Sequence, residues 1–328
     1  MLVLITGATG FLGAHLVQRL SASGRRVRAL VRAASIQAAP NGPGIETATG
    51  DVNDLASLES ACQGAAAVIH AAGLVAYSRA ARRDLERVNV DGTANVLTAC
   101  ERAGVGRLVF VSSVAAVGAS HTPGASLTEE ASYTLGRYNL GYFETKRKAE
   151  RMVLDAGRQD RIHASAVNPS SIYGAGDARK GSRSVHVKVA RGVFRFSPPG
   201  GVNVIALEDV VEGVCRALER ARNGERYILA GENLRIRDLH RLIAAEAGVA
   251  PPGIHLSAPV ARLLGRGCGV LERLGLRGPF DSEAALASTL FHWFDASKAR
   301  RELGLEPRPA REAIAASVGW MRDNGVLD

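Results

Sequence analysis

An α/β fold, built on a doubly wound parallel sheet with a small and mostly helical C-terminal lobe, is what this sequence predicts. Three observations carry the expectation. Short β-rich apolar runs alternate with amphipathic helical patterns from the first residue to about residue 168. The first of these runs leads directly into a glycine-punctuated turn, "TGATGFLG" at 6–13. The chain has 328 residues, 46% of them hydrophobic, enough for one large core.

Taken in order, "LVLIT" (2–6) suits a buried parallel strand, and the helix after its glycine turn closes at Gly24. "RVRALV" (26–31) and "IETATG" (45–50) read as strands, and Asp54 caps a short helix, "LASLESACQ". "AAVIHAAG" (66–73) is a fourth strand, followed by a long helix through "DLERVNVDGTANVLTACERAG". "RLVFVSS" (107–113) is a fifth, and "HASAVNPS" (163–170) a sixth. Between them lies the helix "GYFETKRKAERMVLDAG", with Gly157 in the position of a C′ glycine. Such alternation implies right-handed crossovers and a parallel sheet covered on both faces. Residues 1–170 are expected to form the sheet domain. Residues 171–328 form a lobe over its carboxyl edge, with 200–231 returning to the sheet.

Composition narrows the function. The formal charge of +9 favours anionic ligands, but the arginines are scattered along helices without aromatic interleaving, so no nucleic-acid partner is expected. Cys62, Cys100, Cys215 and Cys268 are far apart in the chain and suit core packing in a reducing compartment. No histidine spacing suggests a metal, and neither a nucleophile elbow nor a Walker motif occurs. No run is long enough for a membrane span, and "MLVLITGATG" is too short and glycine-rich for a signal peptide. The expected location is cytoplasmic.

Two patterns point to chemistry. Gly7, Gly10 and Gly13, spaced G-x-x-G-x-x-G after a strand and before a helix, fit a dinucleotide pyrophosphate laid against a helix N-terminus. At the end of the second strand, "LVRAAS" offers Arg32 where an acid would otherwise hold a ribose hydroxyl. With Ser35 in reach, this favours NADP(H) over NAD(H). Second, Tyr142 and Lys146 in "YFETK" lie four residues apart on one helical face with Ala149, Val153 and Ala156. An ammonium on that apolar stripe either snorkels to water or serves the tyrosine.

The motifs "TGATGFLG", "GDV" (50–52), "HAAG" (70–73), "VNVDGT" (88–93), "FVSS" (110–113), "YFETK" and "NPSSIYG" (168–174) occur in order along nearly the whole chain. This set resembles the extended short-chain dehydrogenase/reductase family, which implies a Rossmann-type dinucleotide-binding domain. By that resemblance Gly7, Thr9, Gly10, Phe11, Leu12 and Gly13 would receive the pyrophosphate, and Asp51 and Val52 would flank the adenine. Ala71, Ala72 and Gly73 would line the cofactor, Asn89 would brace that wall, and Pro169 and Ser171 would lie near the nicotinamide.

Ser112 and Ser113 end the fifth strand. The resemblance implies Ser113 as the catalytic hydroxyl, with Ser112 beside the cofactor. Many sugar-modifying members carry that hydroxyl one place later, where this chain has Val114. "SSVAAVG" is closer to dihydroflavonol reductase and 3β-hydroxysteroid dehydrogenase-like members. Ser113 would then hold the substrate oxygen, Tyr142 would move its proton, and Lys146 would stabilise the phenolate and hold the cofactor ribose.

The expected activity is NADP(H)-dependent ketone reduction or secondary-alcohol oxidation. Alternatives are a nucleotide-sugar epimerase or dehydratase and a non-catalytic nucleotide sensor. The apolar lobe residues Val193, Phe194, Phe196, Leu263, Leu264, Leu271, Phe291, Trp293 and Phe294 favour a hydrophobic small-molecule substrate. The basic stretch 177–195 reads as the solvated side of a helix. The amphipathic stretch 255–278 reads as lid or core, its glycines arguing against a continuous membrane-surface helix. The resemblance also implies a homodimer through the helices that hold Asn89 and Tyr142.

Overall fold

The computed structural model describes residues 1–179, 184–274, 276 and 281–327. Parts of the stretches 177–195 and 255–278 lie outside the described residues. The first half comprises β1 (Leu2–Thr6), α1 (Phe11–Ala22), β2 (Arg26–Val31), β3 (Ile45–Thr49), α2 (Leu55–Cys62), β4 (Ala67–His70) and α3 (Arg82–Leu85). A wider π-type turn, Glu86–Asp91, leads into α4 (Gly92–Arg102), then β5 (Arg107–Val111), α5 (Gly141–Arg158) and β6 (Ala164–Pro169). The second half comprises β7 (Ser171–Tyr173), α6 (Ser184–Ala190), β8 (Phe196–Ser197), β9 (Gly201–Ala206), α7 (Leu207–Arg220) and β10 (Arg226–Leu229). It ends with β11 (Glu232–Arg235), α8 (Ile236–Ala247), β12 (Ile254–His255), α9 (Ala258–Arg273), α10 (Ser282–Ala287), α11 (Ser297–Leu303) and α12 (Ala310–Asp323).

Seven strands form one sheet in the order β10-β6-β5-β4-β1-β2-β3, and every pairing in it is parallel. The central strand shows why both faces are covered. Val3 and Ile5 of β1 join a core with Leu16 and Leu20 of α1 and Val210 of α7. Leu4, pointing the other way, packs with Leu58 of α2, Val96 of α4 and Val153 of α5. Each such aliphatic side chain stabilises the fold by about 1.5–3 kcal/mol on burial. From β1 the chain winds outward through β2 and β3, then crosses to β4 on β1's other side. The loops leaving β1 and β4 therefore diverge and open a crevice at the carboxyl edge.

The lobe has a three-stranded sheet of its own, β11-β9-β7, covered by α6, α8 and α12 around Tyr173, Ile243 and Ile314. Within 200–231, β9 belongs to this small sheet, while α7 packs on the large one and β10 forms its edge.

Several local expectations change. Gly157 does not end its helix, which continues through Arg158 to a cap at Gln159. A Cβ at Gly157 would lie 2.7 Å from Gly224 N and 2.8 Å from Ala164 O, so glycine there lets α5 press against the sheet edge. The left-handed residue is Asp160, three positions on. Val193, named among the apolar lobe residues, lies beyond α6 and is exposed. α9 runs unbroken through its glycines, contrary to their reading as breakers. All four cysteines are buried, unpaired thiols, and among the described residues no helix is long and apolar enough to cross a membrane.

Candidate active site

The carboxyl ends of β1, β4, β5 and β6 open on one side of the sheet, where most of the singled-out residues collect. Gly7 has φ +71, in the left-handed region, and a Cβ there would lie 2.7 Å from Ala72 N. A Cβ on Gly13 would fall 2.0 Å from Gly7 O. Both obstacles are backbone and cannot swing aside, so only glycine lets the turn, α1 and the segment after β4 meet. Gly10 precedes α1 with no side-chain cap, and the first turn holds no acidic residue. Thr9, Phe11 and Leu12 surround this cradle, none of them fully buried. A pyrophosphate fits such a helix start on both charge and space.

A buried hydrogen-bond chain fixes the wall beside it. Thr93 Oγ1 donates to Asn89 O at 2.6 Å, so it accepts from His70 Nε2–H at 3.0 Å. His70 Nδ1 then accepts from Thr6 Oγ1–H at 2.7 Å, and Thr6 Oγ1 accepts from Ala72 N–H at 3.2 Å. Burial, aided by the Lys146 charge, lowers the His70 pKa to about 3, so the imidazole stays neutral and keeps this one tautomer. Ala71 and Ala72 are thereby tied to β1. The π-type turn presents buried Asn89 to the next residues. Its Oδ1 accepts from Leu74 N–H at 2.7 Å and its Nδ2 donates to Leu74 O at 3.0 Å. A Cβ on Gly73 would stand 3.3 Å from both Asn89 Oδ1 and Lys146 Nζ.

Tyr142, Lys146, Ala149, Val153 and Ala156 are all buried along the inner face of α5. Lys146 Nζ donates to Val111 O at 2.9 Å and lies 4.8 Å over the Phe110 ring. Burial lowers its pKa to about 8, opposed by Glu150 one turn on. Tyr142 meets Tyr77 edge-to-face at 5.9 Å and Phe143 at 6.1 Å. Its hydroxyl is pushed well above the usual tyrosine range by burial and by the neighbouring Tyr77, while the Ser113 hydroxyl acts the other way. Ser113 Oγ accepts from Ala115 N–H at 3.1 Å. Ser112 Oγ is buried without a hydrogen bond among the described residues. Pro169 ends β6 beside these serines, and Ser171 begins β7.

Arg32, Asp51 and Val52 lie apart, at the ends of β2 and β3. Arg32 is exposed and makes no ion pair among the described residues, unlike Arg28, which binds Glu46. Asp51 Oδ1 accepts from Asn53 N–H at 2.9 Å. Val52 is buried against Gly92.

Sequence reasoning missed three features. Tyr77 approaches Tyr142 from a loop that shows no periodicity. Asn168 donates from Nδ2 to Ser113 O at 2.9 Å and to buried Glu150, which Arg226 meets at 3.0 Å. His70 had a hint in a polar Thr6 at the end of an apolar strand. The apolar surroundings of Tyr142 also differ from the residues named above. Val193, Phe196, Leu263 and Leu264 face solvent, and Phe294 is sheet core. Leu74, Ala76, Tyr77, Leu286 and Leu290 cluster with Tyr142 instead.

The NAD dependent epimerase/dehydratase family matches residues 3–230. Sterol demethylase protein B of Methylococcus capsulatus is 33% identical over 335 residues, covering all of both chains. A 3 beta-hydroxysteroid dehydrogenase/Delta 5-->4-isomerase of Mycobacterium tuberculosis is 32% identical over 326 residues, covering 93% of this chain and 86% of its own. Among solved structures, gox2253 has a TM-score of 0.88 at 32% identity, over 100% of this chain and 99% of that one. PA4631, described as a nucleoside-diphosphate-sugar epimerase from Pseudomonas aeruginosa, has a TM-score of 0.82 at 26% identity, again over 100% and 99%. With the glycine cradle, the braced wall and the inward Tyr142–Lys146 face, these likenesses lead to one conclusion: the chain belongs to the NAD dependent epimerase/dehydratase family, as an oxidoreductase of the extended short-chain dehydrogenase/reductase type that takes a nicotinamide cofactor.

Proposed function

We propose that the protein reduces the ketone of a hydrophobic substrate, or oxidises the corresponding secondary alcohol, using NADP(H). The observation that carries this reading is buried Tyr142, one turn before buried Lys146 on the inner face of α5 and set among apolar side chains. The nicotinamide, when bound, supplies or accepts the hydride. Ser113 donates a hydrogen bond to the substrate oxygen. Tyr142, whose burial keeps its phenol protonated at neutral pH, delivers the proton to that oxygen and recovers one from solvent. Lys146 stays largely charged below its lowered pKa of about 8 and would steady the phenolate left behind.

The substrate assignment is supported by what surrounds Tyr142. Leu74, Ala76, Tyr77, Leu286 and Leu290 suit a greasy ring better than a sugar diphosphate, which would need converging cations. The two curated relatives carry sterol and hydroxysteroid names, in keeping with that choice. Loss of reduced-nicotinamide absorbance over a panel of cyclic and aryl ketones tests the reading. Stoichiometric NADPH oxidation is expected. A large thermal stabilisation by one nucleotide sugar, without net cofactor consumption, would transfer the assignment to an epimerase.

Cofactor choice rests on Arg32, an exposed guanidinium at the end of β2 without an ion pair among the described residues. Arg32→Asp should weaken NADPH binding by about one to two decades, roughly 1.5–3 kcal/mol for one lost charge-assisted contact, and leave NADH binding less affected. Equal calorimetric affinities of the unaltered protein for NADPH and NADH would remove Arg32 from the site.

A further inference from the structure

α9 is amphipathic in the reverse sense of an ordinary surface helix. Its packed side is made of small residues: Ala261 and Cys268 are buried, and a Cβ on Gly265 would stand 3.1 Å from Ala285 Cβ of α10. At about 100° per residue, the side turned away from the protein carries Val260, Leu263, Leu264, Val270 and Leu274. These are 46%, 68%, 44%, 54% and 69% exposed. Gly267 and the partly exposed Leu271 share that face, so no polar side chain interrupts it. Arg262 and Arg266, both exposed, run together along one flank.

Charge distinguishes the possible occupants of this face. The sequence has no Asp or Glu from 247 through 271, and none between Asp177 and Glu208. The latter stretch contributes Phe196, 45% exposed, whose strand β8 pairs with β12 just ahead of α9. A second copy docked symmetrically on α9 would bring four arginines together with no carboxylate from these stretches to pair them. An anionic lipid surface accepts both features: aliphatic side chains enter the acyl boundary while guanidinium groups remain among phosphates.

The same helix adjoins the proposed substrate site. α10, on which α9 rests, contributes Leu286 and Ala287 to the cluster around Tyr77 and Tyr142. Its Glu283 accepts from Gly141 N–H at 2.7 Å, one residue before Tyr142. We propose that α9 is an interfacial anchor, seating the lobe on an anionic phospholipid bilayer with its Val260–Leu274 face inserted and Arg262 and Arg266 at the headgroups. If the ketone-reductase reading holds, a bilayer-dissolved substrate would then reach Tyr142 from the docked side. The docking itself does not depend on that reading.

Co-sedimentation of the full chain with vesicles, without substrate or cofactor, tests the anchor separately from the chemistry. Equimolar phosphatidylglycerol and phosphatidylcholine should capture the protein, and phosphatidylcholine alone should capture less. Leu263→Glu with Leu274→Glu should weaken capture by about tenfold or more, and turnover of a water-soluble ketone should be unchanged. Arg262→Glu with Arg266→Glu should abolish the preference for the anionic vesicles. The anchor is overturned if the unaltered protein stays in the supernatant with both vesicles, or if the leucine variant binds as well as the unaltered protein. It is equally overturned by a concentration-dependent dimer in vesicle-free buffer that the leucine variant loses, because a second copy would then own the face.

Discussion

Tyr142→Phe is expected to lower kcat by about three orders of magnitude, within the range for loss of a positioned general acid, and to leave NADPH affinity within a factor of about two. The substitution deletes one oxygen. The ring keeps its edge-to-face neighbours Tyr77 and Phe143, at 5.9 and 6.1 Å, so the packing of α5 does not change. Ser113 can still hold the substrate oxygen, but its hydroxyl is a far weaker acid than a phenol and already accepts from Ala115 N–H. Lys146 is committed to Val111 O. Steady-state turnover at saturating ketone, beside a fluorescence titration with NADPH, separates the two effects. Near-normal turnover would remove Tyr142 from the chemistry and require another proton source.

Glu150→Ala should lower the free energy of unfolding by about 3 kcal/mol, the lower end of the cost of breaking a buried ion pair. Glu150 is buried, accepts from Asn168 Nδ2, and pairs with Arg226 at 3.0 Å. Removing it deprives both groups of the carboxylate, leaving Arg226 only the Glu129 carbonyl and Asn168 only the Ser113 carbonyl. The lower end applies because a cleft of about 840 Å³, lined by Glu150 and Arg226, gives water a route to the orphaned charge. Glu86→Ala is the control, since its bond to Lys148 at 2.8 Å is exposed and should be worth at most about 1 kcal/mol. Urea unfolding of both variants measures the difference. Equal losses would show that the burial of Glu150 confers nothing extra. Asn168 also holds the Ser113 carbonyl, so this network links the edge of the sheet to Ser113.

Much of this was legible in the chain itself because the relevant rules are local. Period-two alternation in β1 divides Val3 and Ile5 from Leu4, which makes a sheet with two covered faces. Four-residue spacing puts Tyr142 and Lys146 on one face of α5 whatever that helix packs against. The glycine turn could be read because a strand, three small residues and a helix start follow one another directly. The motif order was sufficient to suggest the family, and the likeness of relatives over their whole length established it.

Tertiary structure decided what depends on residues distant in the chain. Gly157 looked like a helix terminator, but Gly224 and Ala164 press against its α-carbon, and their approach is set by the sheet edge. Lys146 could have snorkelled to water, yet the fold places the carbonyl of Val111 within its reach and withdraws solvent, which lowers its pKa to about 8. Tyr77 and the Asn168–Glu150–Arg226 network have no signature, because their meaning lies in partners 65, 18 and 76 residues away. α9 shows the same limit. Its amphipathic pattern was visible, but a periodic stripe does not say which side meets the protein. Here the small residues Ala261, Gly265 and Cys268 face inward on α10, so the leucines are left facing out.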